Sequence, residues 1–171
     1  IITHPNFMDQ ARKLADYRST PNLRTKIVDI NDIYNEFNYG LYSPIAVKRF
    51  MKYAYENWVE PSPLYLLIIG DTTHRMNKDS ADDRVYLTFV PSMLEYTHSW
   101  GMTSSDNYMV AVSGDDYMPD LFVGRIPANN QSEAETMVQK ILDYETKSII
   151  SDWRRNVYLL SGNDPFFETS S

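Results

Sequence analysis

The sequence has no cysteine, which removes disulfides, thiolate metal cages and a cysteine nucleophile from anything these 171 residues do by themselves. It also has no long apolar run. The longest, residues 64–69, has six residues, where a bilayer-spanning helix needs about 20, so no transmembrane span is expected. None of the six glycines falls in a Gly-x-Gly-x-x-Gly turn or a phosphate-cradling loop. The three histidines, His4, His74 and His98, lack a companion nucleophile, and no serine occupies a Gly-x-Ser-x-Gly elbow. They are expected to be structural or solvated. Asp71 ends an apolar run as a phosphoacceptor would, but the acidic pair that would hold its magnesium is missing after the first strand.

Apolar surface is plentiful: 43% hydrophobic residues, with 13 Tyr, 7 Phe and 3 Trp, can build a packed core. The length fits one domain of ordinary size, or one plus the start of a second. Net charge is −7, and its distribution is uneven: residues 79–120 hold eight acids and only Arg84 as a base, while the rest balances. No basic stripe exists for a phosphate backbone, so nucleic acid is not an expected partner.

Periodicity then orders the elements. Residues 1–3 read as the end of a strand, and Pro5 opens a helix that places Phe7, Ala11 and Leu14 on one face. Residues 26–30 alternate as a strand. Asn31 and Asp32 are expected to cap a short helix through Phe37, stopped at Asn38-Tyr39-Gly40. Ser43-Pro44 opens the next helix, which buries Val47, Phe50, Met51, Ala54, Tyr55 and Trp58 and leaves Lys48, Arg49 and Lys52 wet. Residues 64–69 have the near-continuous apolar pattern of a central parallel strand.

Residues 72–105 lack a period and read as a long surface excursion. Residues 108–112 and 121–123, around Ser113-Gly114-Asp115-Asp116, suggest an antiparallel hairpin. Ser132-x-x-Glu135 is a capping box for a last helix, and residues 157–161 read as one more buried strand. This order implies an α/β three-layer sandwich, a mostly parallel sheet with an antiparallel hairpin insertion. Ligands collect beyond the carboxyl ends of such strands, here Thr3-His4, Asn31-Asp32, Gly70-Asp71 and Gly162-Asn163-Asp164.

Two residue sets carry chemistry worth testing. Asp106, Asp115, Asp116 and Asp120 are hard oxygen donors suited to calcium, but they miss the spacing of an EF-hand loop. Turn and cap roles are therefore expected of them, with no cofactor. Asp71 and Arg125 both emerge from apolar strands expected to be neighbours, and a buried ion pair between them is expected to hold the insertion onto the central strand.

Several short motifs resemble one family in correct order. They are residues 1–7 (Ile-Ile-Thr-His-Pro-Asn-Phe), 28–40, 53–58, 66–71, 105–108, 114–116, 119–128 and 133–145. Together they are similar to the amino-terminal half of the catalytic region in gingipain-like cysteine peptidases. The Tyr34-Asn35-Glu36-Phe37-Asn38-Tyr39-Gly40 stretch is similar to the cell-surface sortase branch of that family, tied to type IX secretion in bacteria. The resemblance implies a caspase-like fold of two side-by-side α/β subdomains, the first over 1–150 and the start of the second over 151–171. It places the catalytic His and Cys in the second subdomain, so no residue of this chain inherits a catalytic role. It further implies a second subdomain and a protein or peptide substrate as partners, and a secreted or cell-surface location. The competing reading is a non-catalytic α/β binding domain that kept the fold.

Overall fold

The computed structural model describes residues 1–72, 89–98, 101–147 and 155–159. In chain order the elements are β1 (Ile2–Thr3), α1 (Met8–Arg18), β2 (Val28–Asp29), α2 (Ile30–Asn38), α3 (Pro44–Asn57), β3 (Tyr65–Ile69), β4 (Met93–Thr97), β5 (Gly101–Ser105), β6 (Phe122–Ile126) and α4 (Gln131–Thr146). Single 3-10 turns lie at Pro5–Phe7 and Asn107–Val110.

Local chemistry sets the helix boundaries. The Ser43 hydroxyl accepts the Ile45 N–H at 3.2 Å, and Pro44 takes the first helical position of α3, where its missing N–H is no loss. α2 is capped not by Asn31 or Asp32 but two residues before Asn31, at the end of β2: the Asp29 carboxylate accepts the Asn31 N–H at 2.8 Å. It ends, as expected, at Tyr39, which adopts the left-handed conformation with φ 55°. The capping box of α4 is shifted by two residues. Asn130 accepts the Glu133 N–H at 2.9 Å, and the Glu133 carboxylate reaches back to the Asn129 N–H at 2.9 Å, so Ser132 and Glu135 are not the box.

β2, β1, β3 and β6 form one parallel sheet in that order. Each face is covered. Leu66 and Ile68 of β3 pack with Ile30 and Ile33 of α2 and Val47, Phe50, Met51 and Ala54 of α3. On the other face Ile69 of β3 and Ile126 of β6 pack with Phe7, Ala11, Leu14, Ala134 and Val138, from the first turn, α1 and α4. This is the three-layer sandwich expected from periodicity, and each fully buried aliphatic side chain contributes about 1.5–3 kcal/mol.

The antiparallel hairpin is real but lies elsewhere. β4 and β5 pair with Met93 opposite Ser105 and Thr97 opposite Gly101, inside the stretch read as irregular surface. Residues 107–110 form a 3-10 turn rather than a strand, and residues 122–126 join the parallel sheet. Thr97 and Thr103 hydroxyls 3.2 Å apart zip one face of the hairpin. Residues 157–159 are exposed and form no strand, which corrects, for these three residues, the buried strand expected over 157–161: none of the described residues covers them. His74, Leu160, Ser161 and the Gly162-Asn163-Asp164 end lie outside the described residues. No described helix is long and apolar enough to cross a membrane.

Candidate functional site

The strand order reverses between β1 and β3, and α/β sheets place ligand crevices at the carboxyl end of such a reversal. Here that position is filled. The Thr3 hydroxyl donates to Ile69 O at 3.2 Å. Beyond it the rings of His4, Phe7 and Phe89 meet edge to face, with Phe7 and Phe89 centroids 4.7 Å apart and His4 and Phe89 5.2 Å apart. The His4 Nδ1 accepts the Asn6 N–H at 3.2 Å and starts the turn before α1. Burial pulls the imidazole pKa below its ordinary 6.5, with the Asp29 charge opposing. His4 is thus a structural histidine, as expected.

Gly70 explains how closely these parts approach. Its φ is +134°, and a Cβ there would sit 2.8 Å from Phe89 Cβ, closer than two carbons can be. Its N–H donates to Ile126 O at 2.9 Å, the next N–H, from Asp71, donates to Ala128 O at 3.0 Å, and Asp71 O accepts the Phe89 N–H at 3.0 Å. One glycine therefore lets the end of β3, the end of β6 and residues 89–90 share a junction.

Arg125 locks that junction. Its Nε donates to Asp106 Oδ2 at 2.8 Å and its Nη2 to Asp106 Oδ1 at 2.7 Å, a two-pronged charged pair. Nη1 donates to Gly70 O at 2.7 Å and Val90 O at 2.8 Å, and Nη2 also reaches Pro91 O at 3.3 Å. All five N–H groups are engaged. The two side chains are 11% and 22% exposed, so the pair is largely withdrawn from water. The ion pair expected between Arg125 and Asp71 is corrected: the acid is Asp106, and the guanidinium has no N–H left for Asp71. The Asp71 carboxylate instead accepts the Thr72 N–H at 2.8 Å.

The four calcium candidates are dispersed among other tasks. Asp106 serves Arg125. Asp120 Oδ2 accepts the N–H groups of Val112 and Ser113 at 2.7 and 2.8 Å, closing the loop between them. Asp116 accepts the Met118 N–H at 2.9 Å, a turn of its own, and Asp115 lies exposed beside it. Among the described residues no three His, Asp or Glu side chains gather where a metal ion could be held. Sequence reasoning missed Asp106 as the partner of Arg125. The one available signal was that a buried guanidinium needs an acid, and several acids lie in that segment.

What these side chains can do chemically is hold a sheet edge and a hairpin in one geometry; the described residues bring no nucleophile and base together. The chain is an α/β domain with a parallel sheet covered by helices on both faces. A family model described as Peptidase family C25 matches residues 1–170, and the chain belongs to that family, the gingipain family. No curated protein matches. Among solved structures it is similar to dimeric latent PorU from Porphyromonas gingivalis, at 22% identity and a TM-score of 0.72, over 93% of this chain and 16% of that one. It is similar to the complex of the Porphyromonas gingivalis RgpB pro- and mature domains, at 20% identity and a TM-score of 0.62, over 84% of this chain and 28% of that one. The Arg-specific cysteine proteinase gingipain R (RGPB) gives 20% identity and a TM-score of 0.59, over 84% and 27%. At such identities the likeness is one of fold, and the chain spans only about a sixth to just over a quarter of those chains.

Proposed function

We propose that the chain is the scaffold half of a gingipain-type cysteine peptidase: residues 1–150 are its first α/β subdomain and residues 151–171 open the second. The observation that carries this reading is a family match over residues 1–170 in a sequence with no cysteine. A cysteine peptidase attacks the scissile carbonyl with a thiolate, and a histidine passes the proton to the leaving amine. The thiolate must then come from polypeptide outside these residues. The role of this half is to present a rigid sheet edge, locked by Arg125 and Asp106, to its catalytic neighbour. The fold likeness to PorU supports a secretion-associated, cell-surface enzyme. In the sortase form of the reaction an amine rather than water would release the acyl group. The test is peptide cleavage by the intact protein with and without a thiol alkylator, set beside purified residues 1–171. Alkylator-sensitive cleavage by the intact protein and none by the fragment is the expected result. An intact protein without a cysteine beyond residue 171 would leave the non-catalytic binding domain as the reading.

A further inference from the structure

His4 stands where three parts of the molecule meet. It follows β1 at the carboxyl edge of the sheet, its ring lies edge to face with Phe89, and its Nδ1 accepts the Asn6 N–H to open the turn Pro5–Phe7. That turn is tied on both sides. Gln131 of α4 donates to Asn6 O at 3.1 Å, and the fully buried Phe7 ring meets that of Phe89. Phe89 leads directly into Val90 and Pro91, whose carbonyls Arg125 holds. A change at the imidazole therefore reaches both the first turn and the root of the β4–β5 hairpin.

The bond to Asn6 exists in one protonation state only. A neutral imidazole with its proton on Nε2 offers Nδ1 as an acceptor, whereas the imidazolium carries N–H on both nitrogens and offers none. Protonated His4 would face the Asn6 donor with a second donor and must turn away. A new partner is at hand. Thr3 pairs with Asp29, so the Asp29 carboxylate lies at the end of the neighbouring strand β2, and its charge favours the imidazolium. The acids of the other surrounding elements are engaged elsewhere: Asp9 of α1 with Arg12, Asp71 after β3 with the Thr72 N–H, and Glu133 of α4 with the Asn129 N–H. Among the described residues, Asp29 is the charge that bears on the ring.

We propose that His4 is a pH-sensitive latch: neutral, it caps the first turn and keeps the Phe7 and Phe89 rings in place; protonated, it leaves Asn6 for the Asp29 carboxylate and loosens residues 5–7 and 89–91 together. Burial works against the charged ring, so the latch holds at neutral pH and opens on acidification, below the ordinary histidine value. Leu66 and Ile68 of β3 pack on the face covered by α2 and α3, so the opening stays local to the carboxyl edge. It makes the seating of the hairpin, at the edge where ligands of such sheets collect, a function of pH. The device does not depend on the peptidase reading.

Amide hydrogen exchange on the intact protein tests this, with each rate corrected for the intrinsic pH dependence of exchange. Between about pH 7.5 and about pH 5, protection at Asn6, Phe7 and Phe89 should fall by at least about tenfold more than at Leu66 and Ile68. His4→Asn, which keeps an acceptor for Asn6 and cannot be protonated, should abolish that excess. Asp29→Asn, which keeps an acceptor for the start of α2, should move the midpoint down by at least about 0.5 pH unit, because the imidazolium loses its partner. Protection at Asn6 and Phe89 that does not respond to pH would overturn the latch. So would a fall shared equally by Leu66 and Ile68, which is acid unfolding of the whole domain, an excess that persists in His4→Asn, or a midpoint unmoved in Asp29→Asn.

Discussion

Replacing Arg125 by alanine removes the guanidinium that bonds Asp106, Gly70, Val90 and Pro91 together. Breaking one side of a buried charged pair costs about 3–5 kcal/mol, most of it the penalty of the stranded partner. Asp106 is 22% exposed, so water can reach part of its carboxylate. The lower end, about 3 kcal/mol, is therefore expected. For a chain of this length each kcal/mol moves the melting temperature by about 2–4 °C, giving a drop of about 6–12 °C. Arg125→Lys should recover less than half of it, since an ammonium with three N–H groups cannot serve five directions. Urea unfolding followed by far-UV circular dichroism measures each variant. A double-mutant cycle assigns the partner: Arg125→Ala with Asp106→Ala should be non-additive by at least about 1 kcal/mol, whereas Arg125→Ala with Asp71→Ala should add to within about 0.5 kcal/mol. A loss below about 1 kcal/mol for Arg125→Ala, the range of exposed ion pairs, would refute the reasoning.

Three further outcomes follow from the same junction and its helices. Gly70→Ala should destabilise by at least about 2 kcal/mol, because it adds backbone strain at φ +134° to a 2.8 Å clash with Phe89; a thermal melt matching the parent would contradict this. The His4 pKa is depressed in the fold, so the unfolded chain takes up the proton first as pH falls. Stability should therefore decline below about pH 6.5 and level off once the folded imidazole also titrates. His4→Asn, which keeps a capping acceptor, should lose that part of the pH slope in urea midpoints measured from pH 5 to 8; an unchanged slope would exclude His4 as its source. Asn130→Ala should cost about 1 kcal/mol and Ser132→Ala close to nothing, and the reverse order in chemical denaturation would restore the cap to Ser132.

The parts of this fold that were readable from the residues are those fixed by local chemistry or by a long apolar pattern. Ser43-Pro44 specifies its helix start through one hydroxyl and one absent N–H. Residues 64–69 specify a strand covered on both faces because nearly every position there is apolar. β4 and β5 escaped detection because their pairing depends on partners such as Thr97 and Thr103 rather than on strict alternation. β1 and β2 are two residues each, too short to carry a period, and exist because the sheet holds them. At the junction, the buried charge of Arg125 was legible from the apolar strand before it. Its partner was not, because Asp71 and Asp106 are both polar residues beside apolar segments and only the folded chain brings one of them to the guanidinium.

The central claim is that this domain supports chemistry whose thiol lies elsewhere in the same protein. The most direct measurement is labelling of the intact protein with a peptide carrying a thiol-reactive electrophile, followed by mapping of the labelled residue. The scaffold reading predicts one cysteine labelled beyond residue 171, with peptide cleavage lost in step with labelling. Cleavage that survives complete alkylation, or turnover by purified residues 1–171, would contradict it.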